Sequence, residues 1–238
     1  MAPRTRSNSL RALISAFALL GPACVGTAES ALPESAAPKG KLVDPSTLDA
    51  GDLIGYRKLT RADFKGEKAP PEFAAVADRA GATTCARLVT PDLELEVSGV
   101  RKASGKEKYK SKVRAVSFKA LMDRNCSWWN DKVASERPAY VLEHEQIHFA
   151  IFELEARKLN ARASEIARDM ESEGSSPDEL KEHALEVHTE VLKDALESIM
   201  ERSHDFDEDT SLGYKPARQK IWRERVTQEL AESANFAR

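Results

Sequence analysis

The stretch Tyr140-Val141-Leu142-Glu143-His144-Glu145-Gln146-Ile147-His148-Phe149-Ala150-Ile151-Phe152 decides how the second half of the chain folds. Ahead of it, Ser135-Glu136-Arg137-Pro138 supplies an N-cap serine and a first-turn proline, and neither Gly nor Pro recurs before Gly174. One unbroken helix of up to about nine turns is therefore expected. His144 and His148 stand four residues apart on it, so both imidazoles share one face and can reach a single Zn2+. Glu145 is rotated to one side, where its carboxylate can act as general base on a water at the open position of the ion. The apolar neighbours imply a buried helix, in which two unpaired histidines would be costly and metal ligation would satisfy them.

A tight zinc site needs a third protein donor. Glu155 shares the helix face but lies seven residues beyond His148, about 10 Å along the axis and too far to bind the same ion. The donor must come from another element. Candidates are Glu171 and Glu173, then Glu182, His183, Glu186 and His188 on a following helix, and finally His204 or Asp207 in Ser203-His204-Asp205-Phe206-Asp207-Glu208-Asp209-Thr210. That acidic string is not an EF-hand loop, since Thr210 stands where the sharp-turn Gly belongs and Pro216 where the final Glu belongs. Read as a loop over residues 203–213 that folds back onto the histidines, it makes Asp207 the chosen third ligand and His204 the alternative. Two further helices are expected, from Ser175-Ser176-Pro177 to about Arg202, and from Lys215-Pro216 through Trp222 to the C-terminus.

Upstream of the motif the pattern changes. Leu93-Glu94-Leu95-Glu96-Val97 alternates strictly and Val113 to Phe118 is a second β-compatible run, with turn residues at Thr90-Pro91-Asp92 and Ala103-Ser104-Gly105. The five lysines between Lys102 and Lys112 fit the solvated tip of a hairpin. The expected fold is thus α+β: a single domain over 51–238, with a small antiparallel sheet in a β-rich part at 51–130 and a helical part at 136–238. Residues 29–50, rich in Ala, Pro, Ser and Gly, read as a flexible linker.

The 238 residues are 41% hydrophobic, 32% charged and 6% aromatic, too polar for a multi-span membrane protein and too apolar for wholesale disorder. Thirty-six Lys and Arg against 39 Asp and Glu give a charge of −3, without the basic excess of a nucleic-acid binder. At the N-terminus, Arg4, Arg6 and Arg11 precede the apolar run Ala12 to Leu20, which is too short to span a bilayer, and Gly26 and Ala28 have the spacing of a signal-peptidase site. Residues 1–28 are read as a signal peptide for an exported protein, periplasmic or secreted. The competing reading, a lipid anchor on Cys24, is disfavoured because in Leu20-Gly21-Pro22-Ala23-Cys24 the Leu falls one place early and a Pro sits near the cut. Cys85 and Cys126 remain as an even pair and are expected to form a disulfide in an oxidising compartment.

Val141 to Phe149, followed by Glu153-Leu154-Glu155-Ala156-Arg157-Lys158-Leu159, resembles secreted bacterial proteins of domain of unknown function family 922, described as predicted zinc-dependent proteases. Their pattern is a HEQxHF segment followed by acidic-Leu-x-Ala-Arg-x-Leu. Asp63-Phe64-Lys65-Gly66, Ser127-Trp128, Phe206-Asp207 through Thr210 and Gly213, Gln219 and Trp222 extend the resemblance in patches over residues 53 to 230. It implies a zincin-like helical lobe, a zinc cofactor and a peptide or protein substrate. It also implies a structural ion pair from Arg157 to an acid such as Glu153 or Asp207, with Glu155, Gln219 and Trp222 as supporting residues. One position departs: Leu212 stands before Gly213 where the family pattern has His. The expected function is an exported zinc metallopeptidase. The alternative, which Leu212 favours, is a catalytically inactive envelope binding or assembly module.

Overall fold

Strict alternation in β4 (Ala86–Arg101) buries Leu93, Leu95 and Val97 and turns Glu94 outward. It pairs antiparallel with β5 (Glu107–Asp123), in register from Ala86 opposite Met122 to Arg101 opposite Glu107. The computed structural model describes residues 39–41, 51–74, 77–101 and 107–238. Residues 1–28, read as a signal peptide, Cys24, most of the segment read as linker and the expected turn at Ala103-Ser104-Gly105 lie outside the described residues. The runs at 93–97 and 113–118 are central parts of these two long strands. Thr90-Pro91-Asp92 is not a turn: the strand continues through it with a register shift between Val89 and Asp92. Such a bulge tolerates Pro91, which has no N–H to give the ladder, and Ser117 Oγ donates to Asp92 Oδ2 at 2.9 Å across it.

The sheet order is β1 (Lys39–Lys41), β4, β5, β2 (Leu53–Gly55), and β7 (Glu173–Gly174) also pairs with β5. Within the segment read as linker, Lys39–Lys41 therefore pairs with Glu94–Glu96 of β4, main-chain bonding that needs no apolar periodicity. A second small sheet joins β3 (Ala82–Thr83) to β6 (Trp128–Trp129). Cys85 and Cys126 meet beside it as a disulfide pair with Cα atoms 5.7 Å apart.

Five α-helices follow among the described residues: α1 (Asp131–Ala134), α2 (Pro138–Ala161), α3 (Ala163–Met170), α4 (Pro177–Thr210) and α5 (Pro216–Glu232). The long first helix expected from sequence stops at Ala161, with Arg162 at the junction (φ −100°, ψ 8°). No Gly or Pro causes this break; tertiary contacts do. Asn160, buried, accepts from the Phe118 N–H and donates to the Phe118 carbonyl of β5, both at 2.9 Å. The redirected α3 then buries Ile166 and Met170. Glu171 Oε1 accepts from the Val113 N–H at 3.1 Å and the Ser172 carbonyl from the Ser111 N–H at 2.9 Å, covering the edge of β5 opposite β4 between the stretches paired with β7 and β2.

The second correction concerns α4. It continues past Arg202 to Thr210, so the residues expected as a loop are mostly helical. Ile199, Ser203, Phe206 and Thr210 are buried at helical spacing while Asp205 and His204 face out, so one apolar stripe carries the helix through the acidic string. It ends in successive left-handed residues, Ser211 (φ 51°), Leu212 (φ 56°) and Gly213 (φ 80°).

Two expected outcomes follow. Replacing both Cys85 and Cys126 by Ser costs about 2–4 kcal/mol in urea unfolding, as for a loop of this length, and two alkylatable thiols in native protein purified without reductant contradict the pairing. Asp63, 2% exposed, accepts from Thr60 N at 2.8 Å and from Arg57 Nη1 at 2.9 Å. Burial raises its pKa, but bonds from Arg57 and Thr60 and the Arg57 charge outweigh that and hold it at about 2, below its ordinary 3.8. Its stabilisation is complete above the unfolded value and is lost as pH falls from about 4 through about 2. Thermal unfolding of Asp63→Asn is expected to show a shallower loss of stability than the parent over that range; equal slopes contradict it.

Candidate metal centre

Three helices build the site. α2 presents His144 and His148 on one face, α4 lays Asp207 across them, and α5 brings Gln219 behind. Asp207 Oδ1 is 3.2 Å from His144 Nε2 and 3.1 Å from His148 Nε2, and the two nitrogens are 3.3 Å apart. A regular tetrahedron with edges of this length has its centre about 2.0 Å from each corner, the length of zinc bonds to imidazole nitrogen and carboxylate oxygen. The three residues form a group able to hold a metal ion.

The protonation pattern fits a cation as well. Gln219 Nε2 donates to the Tyr140 carbonyl at 3.1 Å and to Glu143 Oε1 at 3.2 Å, which directs its Oε1 to His144 Nδ1 at 3.2 Å. His144 then carries its proton on Nδ1, and its Nε2 offers a lone pair toward the carboxylate oxygen. Two acceptors face each other at hydrogen-bond distance unless a proton or a metal ion lies between them. Glu143 is held in turn by Arg223 Nη1 at 2.9 Å.

Electrostatics point the same way. Burial pushes the Asp207 carboxyl up, but the charge and hydrogen bond of His148 beside it outweigh that and hold the group well below the usual carboxylate range. Burial pushes His148 down, yet the charge and hydrogen bond of Asp207, with the charge of Glu145, leave its pKa raised. The field that favours a proton on His148 equally favours a divalent cation.

Phe206, next to Asp207, fills the space under both rings. It stacks on His144 with centroids 4.5 Å apart and meets His148 edge-on at 4.9 Å, and Trp222 backs it at 5.4 Å. Gly213 approaches His144 so closely that a Cβ there would lie 3.3 Å from Nδ1, and its φ of 80° also favours glycine. Leu212 lines the cavity beside the histidines and contributes no donor. The three donors come together without it.

The other sequence candidates are placed elsewhere. His204 is half exposed, with Nε2 3.9 Å from Glu208. Glu155 pairs with Lys158 at 2.8 Å, and Arg157 pairs with Glu153 at 2.7 Å, not with Asp207. The Arg157 guanidinium also donates to the Leu230 carbonyl, tying α2 to the end of α5. Glu171 is engaged with β5, Glu173 with Lys110 and His183 with the Asp169 carbonyl. His188, a candidate ligand, bonds Thr90 Oγ1 at 2.8 Å. Glu182 and Glu186 are exposed.

A cavity of about 110 Å³ opens onto the centre, lined by His144, Glu145, His148 and Asp207 among others. Glu145 is 4% exposed, and among the described residues its carboxylate accepts no hydrogen bond. It lines the cavity beside the two histidines. Sequence reasoning missed Glu143 and Ser203; Ser203 stands four residues before Asp207, and its place becomes readable only once α4 is known to continue. Comparison of the chain with protein-family models, curated proteins and solved structures finds no match in any of the three.

Competition titration with a zinc chelator is expected to show a loss of affinity well over tenfold for His144→Ala, His148→Ala and Asp207→Ala. Gln219→Ala, which only releases the His144 ring, is expected to cost roughly tenfold, and Glu182→Ala nothing measurable. Unchanged affinity in Asp207→Ala contradicts the assignment.

Proposed function

We propose that the protein is an exported zinc-dependent metallohydrolase of the zincin type, and that it cleaves peptide bonds. The observation that carries this reading is the convergence of His144 Nε2, His148 Nε2 and Asp207 Oδ1 within 3.3 Å of one another beside the buried, hydrogen-bond-free Glu145. A zinc ion bound by these donors supplies Lewis acidity and lowers the pKa of a coordinated water.

The chain's own residues do the rest. Glu145 takes a proton from the attacking water as its oxygen bonds to the peptide carbonyl carbon. The same carboxyl then gives that proton to the departing nitrogen as the C–N bond breaks. Asp207 keeps the donor set anionic, while Gln219 and Phe206 fix the imidazoles so that no reorganisation accompanies turnover. A peptide substrate is favoured by the resemblance around residues 141–159. Export is favoured by the signal-like residues 1–28 and the Cys85–Cys126 pair. No helix among the described residues is long and apolar enough to cross a membrane.

Glu145→Gln separates proton transfer from metal binding. The variant is expected to retain zinc at one ion per chain and to lose at least about a hundredfold in cleavage of an internally quenched peptide library. Retained cleavage, or loss of the metal with the carboxylate, contradicts the roles assigned. Parent protein that holds zinc but cleaves no member of the library belongs instead to the class of envelope binding or assembly modules.

A further inference from the structure

The cavity above the histidines grades from buried to exposed. Its floor holds His144, Glu145 and Ser203, while Arg79, Arg137 and Tyr214 are exposed at its mouth. Among the described residues, five buried side-chain polar atoms lack a hydrogen-bond partner, and four belong to residues lining this cavity: Thr83 Oγ1, Thr84 Oγ1, Tyr140 OH and Ser203 Oγ. Thr83 is 4% and Ser203 0% exposed. Their hydroxyls are closed off within the cavity wall, so a ligand entering the cavity meets the charged groups of the mouth.

Arg137 gives that ligand its charge. Its guanidinium carbon lies 4.9 Å from the ring centroid of Tyr140 and 5.3 Å from that of Tyr214, so two aromatic rings hold it at the mouth. The Tyr214 hydroxyl donates to the Arg79 carbonyl at 3.2 Å, which anchors one of those rings. Among the described residues, neither Arg79 nor Arg137 pairs with an acid, whereas Arg57, Arg87, Arg157, Arg202 and Arg223 all do. A planar cation held in place, with its fork of N–H donors unspent, matches a carboxylate.

We propose that this cleft selects peptides carrying a carboxylate, bound by Arg137 at the mouth. Arg137 is the residue just before α2 and stands seven positions ahead of His144, about 10 Å along the helix axis, a span of about three extended residues. The carboxylate therefore lies within about three residues of the bond cut and is either an acidic side chain or the C-terminus of the peptide. This specificity rests on the peptidase reading above.

The test is titration of zinc-loaded, full-length Glu145→Gln protein with two matched probe pairs: acetyl-tetra-alanine as acid or amide, and acetyl-Ala-Ala-Glu-Ala-amide or its Gln counterpart. At least one pair is expected to bind roughly tenfold or more tighter in its anionic form, and which pair does so identifies the source of the carboxylate. Adding Arg137→Gln is expected to abolish that preference with zinc content and melting temperature unchanged. Equal or absent binding within both pairs overturns the proposal, as does a preference that survives Arg137→Gln, which would assign the carboxylate to the metal. Zinc content of the same samples keeps the two failures apart. Protein that takes up no zinc yet prefers the anions overturns the metallohydrolase reading alone, and zinc-loaded protein without a preference overturns this proposal alone.

Discussion

One carboxylate oxygen, Asp207 Oδ1, lies against two imidazole nitrogens at 3.1 and 3.2 Å, and the helical half of the molecule is arranged to keep it there. Burying a carboxylate costs several kcal/mol unless positive charge and hydrogen bonds compensate. The compensation here depends on α4 crossing α2 at one register. A slip of one residue along α4 would rotate Asp207 off the histidine face and bring Phe206 or Glu208 there instead. Phe206 fixes the register by filling the space under both rings, and Thr210 Oγ1 donates to the Phe206 carbonyl at 2.7 Å just before the helix ends. The left-handed residues that follow turn the chain so that α5 can set Gln219 behind His144.

The sheet supplies the platform on which α2 rests. Phe118 and Phe149 are fully buried between them, and Asn160 bonds both polar groups of the Phe118 peptide. At the opposite end of α2, Gln146 Oε1 accepts from the Leu59 N–H at 2.7 Å and Nε2 donates to the Arg57 carbonyl, linking the motif itself to the N-terminal segment. Gln146 is therefore a clamp between the two parts of the domain, while its neighbours His144, Glu145 and His148 face the cavity. Asp63, bound to the same Arg57, stabilises that segment from the other side. Residues far apart in sequence thus converge on α2 because Glu143, His144, Gln146 and His148 in its first half each have a partner on another element.

Local features were legible in the sequence and distant ones were not. The His144/His148 spacing, the N-terminal proline of each long helix and the alternation at Leu93–Val97 follow from helical or strand period alone. The end of α2 at Ala161 carries no local signal, because a bond from Asn160 to a strand some 40 residues earlier fixes it. Pro91 reads as a turn residue, yet a bulge accommodates it. The acidic string at 203–210 reads as a loop because charges dominate it, although Ile199, Ser203, Phe206 and Thr210 carry a buried helical stripe through it. Asp207 belongs to that string but is held by the last turn of α4, not by a loop. Arg157 had two candidate acids, and the helix chose the one four residues away, where the side chains meet without loop closure.

The central claim is that two imidazoles and one carboxylate, drawn from two helices, ligate one ion. Zinc K-edge X-ray absorption on full-length protein loaded with one equivalent of zinc tests it most directly. The account predicts a light-atom shell of nitrogen and oxygen at about 2.0–2.1 Å with outer-shell scattering from two imidazoles. A spectrum showing one imidazole or none, sulfur donors, or fully hydrated zinc would contradict it.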